Sequence, residues 1–95
     1  MKDLHFEWDP RKATANLLKH RISFEEAQTA FQDEGGLLLD DPDHSKEEDR
    51  FVLIGMSVAL RVLLVCHCGR QEGDLIRIIS ARKATRKEQG QYHRR

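Results

Sequence analysis

Three apolar segments between Arg50 and Ala81 restrict what this chain can fold into more than any other feature. Arg50 to Val58, Arg61 to Cys68 and Leu75 to Ala81 are rich in Val, Ile and Leu and have the length of strands. A tight connection near Ala59-Leu60 joins the first two, and a polar turn from Gly69 to Asp74 leads to the third. Short strands linked in this way predict an antiparallel meander with one face under helices. Leu37-Leu38-Leu39 reads as a further short strand, followed by a turn at Asp40-Asp41-Pro42-Asp43.

The first third supplies the helices. Leu4 to Trp8 alternates apolar and polar residues, which predicts a short strand with Leu4, Phe6 and Trp8 on one face. Asp9-Pro10 then starts a helix, because Asp9 can cap the orphan amides and Pro10 at the first position forfeits no needed bond. That helix is expected to reach His20 and to bury Ala13, Leu17 and His20 at helical spacing. Ser23-Phe24-Glu25-Glu26 matches a capping box, with Glu26 reaching back to the Ser23 amide. Phe24, Ala27, Ala30 and Phe31 form the apolar stripe, and Gly35-Gly36 ends it. From Arg82 the pattern turns helical and very polar, with Gly90 weakening the helix so that its end frays. The expected architecture is one α+β domain over residues 1–95: short N-terminal strand, helical hairpin, antiparallel β-meander and C-terminal helix.

Composition narrows the function classes. No apolar run approaches the roughly 18 residues needed to span a bilayer, and MKDLHFEWDP has no apolar core of a secretory signal. A cytoplasmic protein without membrane contact is expected. Cys66 and Cys68 stand two apart in a strand, where a disulfide would strain the backbone. His67 points to the opposite face, and no second ligand pair follows, so neither zinc nor any other cofactor is expected. Walker loops, nucleophile elbows and paired-carboxylate motifs are absent. Residues 1–50 carry seven Lys/Arg and thirteen Asp/Glu, whereas residues 51–95 carry nine and three. Such polarity suits one surface for a polyanion and another for a basic partner or self-association.

Bases and one histidine cluster around the sheet. Arg61, Leu63, Val65 and His67 share a face by alternation, Arg77 lies in the last strand, and Arg82 stands where that strand meets the basic tail. Arginines on a sheet must reach solvent, an acid or a phosphate. Each candidate has an ordinary alternative. His67 can be satisfied by a backbone carbonyl, Arg77 can pair with an acid on a neighbouring strand, and Arg61 can solvate a strand start. His20 can be a packed helix-end residue, Trp8 can belong to the core, and His44 reads as surface.

The stretch FEWDPRKATANLLKHRISFEEAQTAFQD, then EEDRFVLIGMS, RVLLVCH and RIISARKATRKEQGQY, resembles the BrnT family of type II toxins over nearly the whole chain. The resemblance implies a RelE-like fold and a ribonuclease that arrests growth. It also implies a cognate antitoxin, BrnA-like and of the ribbon-helix-helix kind, that represses the shared operon, so that DNA is met only through it. A toxin dimer, or a heterotetramer with antitoxin, follows from the same source. Given that activity, a metal-independent endoribonuclease mechanism assigns Arg61, Arg77 and Arg82 to the phosphate and transition state, and His67 to general base or acid catalysis. Lys83, Arg86, Lys87 and Trp8 are the expected RNA-binding residues, and Glu88, Tyr92 and His20 reserve groups for proton transfer. The alternative is a non-catalytic, degenerate module that only binds a protein partner or nucleic acid. A DNA-binding regulator acting alone is disfavoured, because Glu25, Glu26, Gln28 and Gln32 on the hairpin oppose phosphate. After Lys19-His20 the family usually has Gly, and this chain has Arg21.

Overall fold

A computed structural model describes residues 4–41, 50–69 and 74–94. Pro42, Asp43, His44 and the middle of the Gly69–Asp74 turn lie outside the described residues. In chain order the elements are β1 (His5–Glu7), α1 (Pro10–His20), α2 (Phe24–Thr29), a 3-10 turn (Ala30–Gln32), β2 (Leu37–Asp40), β3 (Arg50–Met56), β4 (Val62–Gly69), β5 (Leu75–Lys83) and α3 (Arg86–Arg94). The strands form one sheet in the order β1-β5-β4-β3-β2. From β2 to β5 the pairing is antiparallel, as the short connections require. The short N-terminal strand, whose pairing the sequence left open, makes the sheet mixed: β1 pairs parallel to β5. Periodicity says that a segment is a strand, and nothing about which distant edge it joins.

The start signals of both helices act as read, with one exception. Asp9 Oδ1 accepts from the Arg11 amide at 2.9 Å, and Pro10 opens α1. Ser23 Oγ accepts from the Glu26 amide at 3.0 Å. The Glu26 carboxylate, expected to return to Ser23, instead points across to Ser57 and Arg61 because a charged partner is stronger than a backbone amide. Arg21 closes α1 in the left-handed region, at φ 61° and ψ 28°.

The face of α1 is also corrected. Leu17 is 47% exposed, and the buried residue is Asn16. Its Nδ2 donates to the carbonyls of Ala81 at 2.8 Å and Ile22 at 2.9 Å, while its Oδ1 accepts from the Ala81 amide at 3.1 Å. β1 covers β5 only from Leu75 to Arg77, so beyond it Asn16 satisfies Ala81 as a neighbouring strand would. Hydrophobic periodicity cannot detect a side chain chosen for that task.

The expectation of one helix-covered face is corrected as well, because helices pack on both. On one, Ile22, Phe24, Ala27 and Ala30 pack on Leu53, Leu63, Val65, Ile78 and Ala81, with Phe6, Trp8, Ala13 and Phe31 around them. Complete burial of a side chain such as Phe24 stabilises by about 1.5–3 kcal/mol. On the other face Tyr92 and Ala84 meet Ile54, Val62 and Leu64. Gly55 marks where the 3-10 turn presses on β3, since a Cβ there would stand 2.9 Å from the Ala30 carbonyl oxygen. α3 begins at Arg86 and not at Arg82, because Arg82 and Lys83 still pair with Leu64 and Leu63 in β4. It also continues through Gly90 to Arg94, where fraying was expected. Buried Tyr92 holds it by donating its hydroxyl to Asp33 Oδ2 at 2.6 Å.

Candidate active site

A register shift decides which basic residues meet. Arg77 and Arg82 are an odd number of residues apart, so strict alternation would set them on opposite faces. The β4–β5 ladder pairs Cys68 with Arg77, His67 with Ile78, Cys66 with Ser80 and Leu64 with Arg82, leaving Ile79 as the extra residue of a bulge. Arg77, Ser80 and Arg82 therefore share the α3 side of the sheet with Cys66 and Cys68. Both cysteines are half-buried.

Arg82 donates Nη1 to Glu88 Oε1 at 2.8 Å and Nη2 to Glu88 Oε2 at 3.0 Å, a bidentate pair. Oε1 of Glu88 also accepts from the Thr85 amide at 2.8 Å, and Thr85 Oγ1 accepts from the Glu88 amide at 3.1 Å. These two bonds form a full capping box at the start of α3. The hydrogen-bonded Arg82 guanidinium holds the Glu88 carboxyl below its ordinary value, and Glu88 raises Arg82 in turn. Arg77 Nη1 lies 3.1 Å from Glu7 Oε2, on the neighbouring strand β1 and the same face. Arg86 and Lys87 are exposed on α3, whereas exposed Lys83, paired with Leu63, faces the α2 side near Glu26.

The other expected site residues stand elsewhere. Arg61 belongs to the α2 side, where its Nε donates to Glu26 Oε2 at 2.9 Å and its Nη2 meets Glu26 Oε1. Ser57 Oγ donates to the same carboxylate at 2.6 Å. The Arg61 hydrogen bond is the main reason that Glu26 ionises more readily than an ordinary glutamate, and Glu26 raises Arg61. His67 is 4% exposed. Its ring stands edge-on to Phe31 at 4.8 Å, and Nδ1 lies 3.1 Å from the Val65 carbonyl oxygen. Burial pushes the imidazole below its ordinary value, partly offset by that carbonyl, so it is neutral at pH 7. The structure thus brings Arg77 and Arg82 to one face and keeps Arg61 and His67 on the other.

Trp8 packs edge-on to Phe24, with ring centroids 5.8 Å apart. Tyr92 is occupied with Asp33, and half-buried His20 ends α1, on the opposite side from Arg82. Sequence reasoning missed Glu7, Asn16, Ser80 and Thr85 as site or support residues. Thr85-x-x-Glu88 was readable as a capping box, and Glu7 and Asn16 lie within FEWD and NLLKH. Ser80 carried no signal, because its face depends on the bulge. Among the described residues no group of three or more His, Cys, Asp or Glu gathers as a metal site, and no helix is long and apolar enough to cross a membrane.

Residues 8–88 match the family model described as the ribonuclease toxin BrnT of type II toxin-antitoxin systems. The fold is similar to that of the Brucella abortus ribonuclease toxin BrnT, with a TM-score of 0.63 and 22% identity over 90% of this chain and 99% of that one. No curated protein matches the sequence. The matched span holds Arg61, His67, Arg77, Arg82 and Glu88, and the chain belongs to the BrnT family of type II toxin-antitoxin ribonuclease toxins.

Proposed function

We propose that this chain is a metal-independent endoribonuclease that cuts RNA on the arginine-bearing face of its sheet. The reading includes growth arrest, a cytoplasmic site of action, a single RelE-like domain and a ribbon-helix-helix antitoxin that holds the toxin in a heterotetramer. The observation that carries it is the face shared by Arg77 and Arg82, with Arg86 and Lys87 exposed on the adjoining α3.

Cleavage without a metal requires three things: a base for the 2′-hydroxyl, charge stabilisation at phosphorus, and a proton for the leaving oxygen. Arg77 and Arg82 supply the second, since planar donors match phosphate oxygens. Glu7, beside Arg77, takes the 2′-hydroxyl proton. The 2′-oxygen then bonds to phosphorus, the P–O5′ bond breaks, and the 5′-oxygen takes a proton from water. Glu88 stays ionised and acts by positioning Arg82. Arg61 and His67 act through the packing of the α2 side, as Tyr92 does through α3.

The test is a labelled RNA incubated with purified protein in excess chelator. Cleavage persists, and Arg77→Ala and Arg82→Ala each slow it by about 10²–10³-fold. Glu7→Gln flattens the acid limb of the pH–rate profile. Parent-like rates in all three variants would sink this assignment. A protein that binds the RNA and leaves it whole is the non-catalytic module instead.

A further inference from the structure

The acidic excess of the first half has a narrow source. Residues 33–49 carry eight acids and one lysine, while the other residues up to 50 carry five acids and six bases. Within this segment lies β2, an edge of the sheet. The Asp41 amide donates to the Arg50 carbonyl at 3.1 Å. Antiparallel alternation then makes Leu39–Val52 and Leu37–Ile54 hydrogen-bonded pairs, and turns the N–H and C=O groups of Leu38 and Asp40 to the free edge. Among the described residues nothing bonds to those groups.

The same side of the sheet is treated differently where β2 has not yet begun. There the Met56 amide donates to Asp33 Oδ2 at 2.8 Å and the Val58 amide to Thr29 Oγ1 at 2.9 Å. Side chains thus close the edge past β2, whereas β2 itself is open and apolar. Leu38 is 60% exposed and Leu39 37%, with Glu34 and Asp40 exposed beside them. Unprotected apolar edges are ordinarily avoided, because they invite an added strand.

We infer that β2 is the docking edge for an extended, basic segment of the cognate antitoxin, which adds a sixth strand through the backbone of Leu38 and Asp40. The inference rests on family membership and is independent of the arginine site. Charge complementarity selects this occupant. Two copies of the toxin paired through β2 would bring two acid-rich edges together, which like charge opposes, whereas Lys or Arg flanking the antitoxin segment would meet Glu34 and Asp40. Two strands, β4 and β3, also stand between this edge and β5, so docking there leaves Arg77 and Arg82 to be covered separately.

The experiment uses the full toxin with the antitoxin expressed from the adjoining reading frame. Amide exchange at Leu38 and Asp40 should slow by about tenfold or more on complex formation. Leu38→Pro removes only an outward N–H, which an edge strand tolerates. It should keep the parent's melting temperature and RNA cleavage, and weaken antitoxin binding by about tenfold or more. Asp40→Lys should weaken it further at low salt. Unchanged exchange at both amides, or binding within about twofold of the parent in both variants, overturns the inference. Protection in the toxin alone at high concentration would also overturn it, by making the edge a contact between copies. A parent that fails to cleave RNA refutes the ribonuclease reading and leaves these binding results to decide the docking edge.

Discussion

Arg21 shows how one residue can sit against its backbone. The left-handed region costs a residue with a Cβ about 1–2 kcal/mol relative to glycine, and φ at Arg21 is 61°. The position at which the family usually has Gly is therefore one where the chain geometry asks for it. Arg21→Gly should stabilise by about 1 kcal/mol, read as a higher urea midpoint at unchanged slope. His67 makes the opposite kind of demand. Burial depresses its folded value, so the unfolded chain binds the proton more readily. Stability is then retained above the unfolded value of about 6.5 and lost as pH falls below it, until the depressed folded value is reached. His67→Leu should show a flatter stability profile between pH 7 and 5 than the parent. Arg61 completes the residue scale: Arg61→Ala leaves a half-buried Glu26 without its cation and should cost about 1–3 kcal/mol. Its cleavage rate per folded molecule should fall far less than that of Arg77→Ala, as compared in the chelator assay.

At the scale of elements, α3 shows what was legible and what was not. Its polar sequence and Gly90 argued for a weak, fraying helix, and by propensity that argument was sound. The helix persists because of two tertiary contacts: Glu88 to Arg82 at one end, and the Tyr92 hydroxyl to Asp33 near the other. Its local terms remain adjustable. Thr85→Ala removes the cap and should lower stability by about 1 kcal/mol. Gly90→Ala should raise it by about 0.5–1 kcal/mol, because the added Cβ meets only the Arg94 guanidinium at 3.6 Å. Thermal unfolding of the two variants separates the effects by sign. The helix starts at Asp9 and Ser23 were legible because capping is local. The destination of Glu26 was not, because Ser57 and Arg61 are more than thirty residues away in the chain.

Charge is spread unevenly over the molecule: Arg77 and Arg82 stand on β5 beside β1, α3 carries Arg86 and Lys87 and packs on β3, and Glu34 and Asp40 make the β2 edge acidic. Binding of RNA should weaken as salt rises, with a shallower dependence in Arg86→Ala and Lys87→Ala, as measured by titration of labelled RNA at several salt concentrations. The sequence alone determined the helical hairpin, the four strands from β2 to β5, the stripe of Phe24, Ala27 and Ala30, and the family motifs. Each of these rests on periodicity, caps or residue identity within a short window. Tertiary structure alone decided that β1 joins β5, that Asn16 and not Leu17 turns inward, and that helices cover both faces. It also decided the grouping of the site. Alternation along the strands had gathered Arg61 and His67 as candidates beside Arg77 and Arg82, but strand parity carries through a sheet only while no residue is inserted. Ile79 is such a residue, and its bulge turns Arg77 to the side of Arg82 and away from the buried His67.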